Sequence, residues 1–306
     1  MEVPQFEHIL SRALHDALWR RVQAVFAFDP GRWHELRLNG RHLGYLNDKW
    51  RRLLLRDWTG RLKSNDRAVY LETDDWLAMG DRLQNMAAVW RDTGELSGWR
   101  NEAFSVRLDG ETLFDLERAA FRPLGLYSHA VHINGLSRYE GQWRFWIARR
   151  SPYKTVDPGK LDNMVGGGVA AGESVSEALC REGWEEAGLP DTLLAPLVCR
   201  WRLDSLRTVS RGLHRECLHV YHAVLPAGTA PENQDGEVAG FELFDAETLA
   251  GKMCAGEMMN DALLATLAAF ADYGLLDEAH PLAQFLAGQV SPAEGAVLAA
   301  GGRNIL

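Results

Sequence analysis

Apolar positions recur along this chain with two periods, and the places where the period changes divide it. In LRLNGRHLGYL (36–46) and VRLDGETLFDL (106–116) apolar and polar residues alternate, as on strands with one face in a core, and Asn39-Gly40 or Asp109-Gly110 supplies a two-residue hairpin turn. Each hairpin precedes a charged amphipathic segment, so the spacing predicts a two-copy hairpin-plus-helix unit, an N-terminal α+β domain over 1–120. Between the copies, WLAMGDRLQNMAAVWRDTG sets Leu77, Leu83, Met86, Ala87 and Trp90 at helical intervals and ends at Gly94, and its Met and Trp stripe reads as core. The second region, 121–306, has longer runs: HAVHINGL, WRFWIARR, LLAPLVCRWRL and ECLHVYHAVL read as strands, NDALLATLAAFADYGLL and PLAQFLAG as helices. Alternation in CLHVYHAV sends His219 and His222 to opposite faces, so the two cannot share one metal and read as structural or surface residues. Strands around one strongly marked helix predict an α/β sandwich rather than a doubly wound nucleotide fold.

That helix lies in GGGVAAGESVSEALCREGWEEAGL (166–189). Ser174 and Glu177 form a capping-box pair, Gly188 suits a left-handed terminus and Pro190 prevents continuation, which predicts a helix over Val175 to Ala187. Val175, Ala178 and Leu179 share one face, and the same stripe continues onto Glu182 and Glu186, with Glu185 on its flank. Like charges at i,i+3 and i,i+4 cost about 0.2–0.5 kcal/mol per pair even when exposed, and Arg181 is expected to neutralise only one of the three. An all-carboxylate oxygen set suits a hard divalent cation, Mg2+ or Mn2+, rather than zinc. Gly166, Gly167 and Gly168 let backbone approach that cation or a phosphate without side-chain obstruction.

Composition narrows the field. Hydrophobic content of 46% and charged content of 25% are ordinary for a globular protein, and a net charge of -9 without a basic run argues against nucleic-acid or anionic-membrane partners. MEVPQFEHIL lacks the pattern of a secretory signal, and Cys180, Cys199, Cys217 and Cys254 form no CxxC pair, which together suggest reduced thiols and a cytoplasmic location. Oligomeric state, a homodimer included, stays open.

Gly167, five residues, Glu173, seven residues, then Arg181-Glu182-x-x-Glu185-Glu186-x-Gly188-Leu189 resembles the Nudix box, with Gly183 standing where that family has a bulky aliphatic residue. GWRNE (98–102), ERAAF (from 117), VHING (from 131) and ARRSPYKTVDPGKLDN (148–163) resemble Nudix proteins with an extra N-terminal domain, related to the Nudix part fused to thiamin pyrophosphokinase in fungi. The resemblance implies a Nudix α/β/α sandwich and hydrolysis of a small-molecule diphosphate, thiamin diphosphate or its oxidised forms, to a monophosphate and phosphate. It implies metal on Glu182, Glu185 and Glu186 with the Gly166 carbonyl, and pairing of Glu173 with Arg181. It also implies Glu237, in DGEVAGFELF, as a further ligand or base. Arg149, Arg150 and Lys154 are candidates to hold the terminal phosphate, and Trp99 and Trp143 to Trp146 to stack an organic ring. A nucleoside diphosphate-X hydrolase and a non-hydrolytic ligand-binding protein are the competing readings. The isomerase that shares the fold needs a cysteine shortly after the PGK turn, and LDNMVGGGV has none.

Overall fold

The computed structural model describes residues 3–154 and 156–291. Thr155 of the PYKTVDPGK run and residues 292–306 of the expected second domain lie outside the described residues.

The chain opens with α1 (Arg12–Val25), followed by β1 (His34–Leu38), β2 (Arg41–Leu46), α2 (Asp48–Asp57), β3 (Arg61–Ser64), β4 (Ala68–Glu72) and α3 (Trp76–Asp92). These strands form a four-stranded sheet in the order β2-β1-β4-β3. Next come β5 (Ala103–Leu108), β6 (Glu111–Glu117) and the one-turn α4 (Phe121–Leu124). Both expected hairpins form. Asn39 and Gly40 (φ 48° and 79°) and Asp109 and Gly110 (φ 53° and 83°) take the positive angles of type I′ turns. Each ladder carries a bulge one step before an arginine, between Leu36 and Arg37 and between Val106 and Arg107. The likeness stops there. The first hairpin is extended by a parallel pairing of β1 with β4, whereas β5 and β6 form a two-stranded sheet and lead into α4 instead of an amphipathic helix. On α3, Met79, Leu83, Met86, Ala87 and Trp90 are buried as their spacing requires, but Leu77 is 77% exposed beside the N-cap Asp75.

The remainder comprises β7 (Ser128–Tyr139), β8 (Gln142–Arg150), β9 (Leu161–Asn163), β10 (Val165–Gly168), α5 (Val175–Ala187), α6 (Asp191–Leu194), β11 (Trp201–Val209), β12 (Gly212–Val224), β13 (Val238–Phe244), α7 (Ala246–Ala255), α8 (Asn260–Asp272) and α9 (Pro281–Gly288). The main sheet runs β11-β12-β7-β8-β13, with β10 paired to β7 and β9 to β8. One apolar cluster joins α5 to Val131, Ile133 and Tyr221, and another joins α8 to Ala130, Leu218 and Val220, so a helix layer covers each face. This is the α/β sandwich expected from the pattern, in the α/β/α form that the resemblance implies.

Two expectations need correction. LLAPLVCRWRL is not one strand: Asp191–Leu194 is helical, and the strand begins at Trp201 and runs on through Ser205 and Arg207. Those two residues are buried but polar, so they hid the alternation. The boundary near 120 also fails at its start. Leu10, Leu18 and Val22 belong to the cluster of α7, α8 and α9, and Leu10 N–H donates to the Leu275 carbonyl at 2.9 Å, so α1 packs with the C-terminal helices.

Candidate active site

On α5 the capping box is complete, with Ser174 Oγ accepting from Glu177 N–H at 3.2 Å and the Glu177 carboxylate accepting from Ser174 N–H at 2.8 Å. Gly188 closes the other end at φ 62°. The helix therefore holds its glutamates at fixed places on β10. Gly166 N–H donates to Glu186 Oε2 at 2.7 Å. In an extended strand the carbonyl of a residue faces the same side as its N–H, so the Gly166 carbonyl also turns toward α5 rather than into the β7 ladder. At Gly167 a Cβ would collide with the Glu182 carboxylate, which occupies that space. Gly183, the departure from the box pattern, lies under Leu194, whose Cδ1 is 2.6 Å from where a Cβ would be.

Arg181 does more than neutralise one carboxylate. It takes Glu173 through Nε at 2.7 Å and Nη2 at 2.9 Å, and its Nη1 reaches Glu182 at 2.8 Å and Glu185 at 3.1 Å. Glu186 receives no such pairing. Burial, then Glu182 and Asp162, push its carboxyl up to about 8, and burial also raises Glu182. The nearest cation to Glu186 is Lys154 Nζ at 4.0 Å, which also pairs with Glu237 from the turn before β13. Burial drives the Lys154 ammonium down from its usual range. A buried carboxylate and a half-buried one with a third nearby, an inward carbonyl and a glycine cradle make an all-oxygen donor set that fits Mg2+ or Mn2+. Glu182, Glu186 and the Gly166 carbonyl would hold such an ion, and Glu185 and Glu237 line the same cleft.

The three basic candidates separate. Arg150 lies in the cleft and pairs with Asp162 at 2.9 Å, and Lys154 lies beside it. Arg149, one residue along β8, points to the opposite face, where Glu242 takes it at 2.7 Å, so it does not reach the site. The tryptophans expected to stack an organic ring do not line the cleft either. Trp99 is covered by Arg91, Trp143 packs on the α8 side, and Trp146 donates to Ser137 Oγ at 2.8 Å, all outside the cleft.

The cleft itself is about 890 Å³ and is lined from both halves of the chain. Sequence reasoning missed Asp162, Asp235 and Asp261 there, and a group of arginines that includes Arg122 and Arg207. Asp162 had a signal, since it stands inside the LDN of the quoted 148–163 run. Asp261 had none: it starts an apolar helix and is buried only because Arg207 and His214 meet it at 2.5 and 3.1 Å. Beneath the cleft His132, Asn163, Asn134 and Thr266 form a buried hydrogen-bonded row that fixes β9 against β7 and α8. His219 and His222 do face opposite ways, His219 to His129 at 3.1 Å and His222 to Asp272 at 3.1 Å.

Fold and site together define an α/β/α sandwich with a carboxylate cluster on helix α5. Residues 128–262 match the NUDIX domain, so this part of the chain resembles a Nudix domain. Nudix hydrolase 24, chloroplastic, of Arabidopsis thaliana is 36% identical over 159 residues, 51% of this chain and 44% of that protein. Nudix hydrolase 20, chloroplastic, of the same plant is 34% identical over 175 residues, 56% of this chain and 47% of that one. A Nudix hydrolase of Deinococcus radiodurans is 32% identical over 116 residues, 38% of this chain and 64% of its own length. The chain spans about half the length of the plant relatives it matches. Among the described residues no helix is long and apolar enough to cross a membrane.

Proposed function

We propose that the protein is a metal-dependent pyrophosphohydrolase that cuts the bond between two phosphates of a small-molecule diphosphate. The observation that carries this reading is the carboxylate pair of half-buried Glu182 and buried Glu186, held against the glycine edge of β10 with too little cationic charge around them. A bound Mg2+ or Mn2+ supplies neutralisation of the phosphate oxygens and polarises water for attack. The chain's own residues do the rest. Arg181, clamped by Glu173, keeps Glu182 and Glu185 in place. Lys154 and Arg150 stand where a terminal phosphate can displace their carboxylate partners. Glu237, facing Lys154 at the rim, is the candidate to accept the proton of the attacking water.

For the substrate, the resemblance of residues 98–163 to thiamin-linked Nudix proteins supports thiamin diphosphate or its oxidised forms. At the end of the cleft where Arg100, Arg118, Arg122, Arg207 and Arg211 outnumber Glu102, Glu216 and Asp261, charge adds an electrostatic ranking: a cationic thiazolium is repelled there, and a neutral oxidised ring is not. The same lining favours a second reading, a nucleoside diphosphate-X hydrolase, because guanidinium groups suit an anionic nucleotide. Phosphate release with Mg2+, measured over thiamin diphosphate, its oxidised forms, ADP-ribose and dinucleotides, separates the two. The first substrate reading expects the oxidised thiamin compounds to lead in kcat/KM. A lead for ADP-ribose or a dinucleotide selects the second, and no turnover of any diphosphate defeats both.

A further inference from the structure

The end of the cleft away from the helix glutamates carries guanidinium groups that the chemistry above does not use. Arg100, Arg118, Arg122, Arg207 and Arg211 line it, drawn from the loop before β5, the turn after β6, α4, β11, and the β11–β12 hairpin. Their carboxylate partners are fewer. Asp261 takes Arg207, Glu216 faces Arg122 at 3.5 Å, and Glu102 takes Arg118 at 2.5 Å. The side chains of Arg100 and Arg211 have no hydrogen bond or ion pair among the described residues. Burial, then the Arg118 and Arg100 charges, press the Arg211 pKa down. Like charges gathered in a half-buried wall repel one another, and an anion among them removes that repulsion.

This end is distinct from the metal end. Glu186 meets the Gly166 N–H at 2.7 Å and Lys154 Nζ at 4.0 Å, neither of them in the arginine wall. Phe104 stands at the boundary, its ring edge against Gly168 and the Arg118 guanidinium 5.0 Å from its centroid. Planar forks arriving from several elements suit the multiple oxygens of a phosphate better than a lone carboxylate.

We propose that the arginine wall is a second phosphate subsite, holding a phosphate monoester of the substrate separate from the diphosphate at the helix. The substrate class is then a diphosphate compound with a further phosphate on its organic part, such as a nucleotide phosphorylated on its ribose. For turnover the inference rests on the diphosphatase reading in its nucleotide form, since thiamin diphosphate carries no further phosphate; phosphate binding at the arginines does not. It also assigns the N-terminal region a task, since Arg100, Arg118 and Arg122 precede the Nudix match.

Matched probes test it: NADPH against NADH, and coenzyme A against 3′-dephospho-coenzyme A. With Mg2+ the phosphorylated member of each pair should have a kcat/KM higher by about tenfold or more, carried by KM, as expected for one or two charge-assisted hydrogen bonds. Arg211→Ala should bring the ratio toward one. So should Arg100→Ala, whose exposed side chain is not needed for folding. Equal values in the wild type overturn the proposal. A second measurement is independent of turnover: calorimetric titration of inorganic phosphate into metal-free protein. Binding should persist in Glu186→Gln and vanish in the Arg100→Ala, Arg211→Ala double variant. Binding lost in Glu186→Gln and indifferent to the arginines overturns the subsite. Phosphate bound at the arginines with no diphosphate hydrolysed supports the subsite and counts against the diphosphatase reading.

Discussion

At Gly183 the side chain of Leu194 fills the space a Cβ would need. Gly183→Leu, which inserts the bulky aliphatic residue of the box pattern, should therefore destabilise by about 1–3 kcal/mol through overpacking. Leu194→Ala alone should cost about 2–5 kcal/mol through the cavity it leaves, and the double variant should recover part of both losses. Denaturant melts of the four proteins check this, and simple additivity would disprove the steric account. Glu186 gives the opposite sign. Its carboxyl is raised to about 8, so in metal-free protein its contribution to stability is fully present below the unfolded value and is lost as pH rises through 8. Glu186→Gln removes that loss: the metal-free Tm above pH 8 should equal or exceed wild type, while turnover with Mg2+ falls by about two orders of magnitude or more. Wild-type turnover in this variant would sink the metal assignment.

Among the elements, α5 owes its position to its caps. Ser174→Ala should cost about 0.5–2 kcal/mol through loss of the bond to Glu177 N–H, with kcat little changed once the protein is folded. A large fall in kcat with an unaltered melting curve would show a further role for Ser174. At the end of α8, Asp272 ties the helix to the sheet by accepting from Arg200, Trp201 and His222. Burial pushes its carboxyl up, but the hydrogen bonds from His222, Arg200 and Trp201 outweigh it and hold the group at about 2. That stability is present above the unfolded value near 4 and disappears as pH falls through 2, so acid melts of Asp272→Asn should lose this part of the wild-type pH dependence. An unchanged acid profile would mean that the bonds contribute nothing net.

For the whole molecule, the packing of α1 decides what can be removed. Deleting residues 1–95 would strip Leu10, Leu18 and Val22 from the cluster around α7 to α9, and would also open the core shared by α3, β6 and α4. The truncated chain is expected to aggregate or to lack a cooperative melt, measured by near-UV circular dichroism and thermal scans. A folded, soluble 96–306 fragment would contradict the packing account. Because the N-terminal region also lines the cleft, its contribution to selectivity is better tested by point substitutions at the cleft than by deletion.

Local rules made much of this legible in the sequence: the capped helix Val175–Ala187, both type I′ hairpins and the stripe on α3 each depend on residues a few positions apart. The glutamates of α5 could be read the same way, because helical spacing alone puts Glu182 and Glu186 on the core side. Arg149 and Arg150 could not be sorted by proximity in the chain; strand alternation and the positions of Glu242 and Asp162 sent them to opposite faces. The burial of Ser205, Arg207 and Asp261 was hidden because polar residues become core residues only when partners from distant segments satisfy them. The same holds for the arginine wall, whose members come from two distant segments, 100–122 and 207–211, and acquire a common charge only when the N-terminal region closes on the sandwich. Short-range patterns determine elements and the chemistry carried on one helix, whereas a cleft shared by two regions is decided by long-range packing, which no local period encodes.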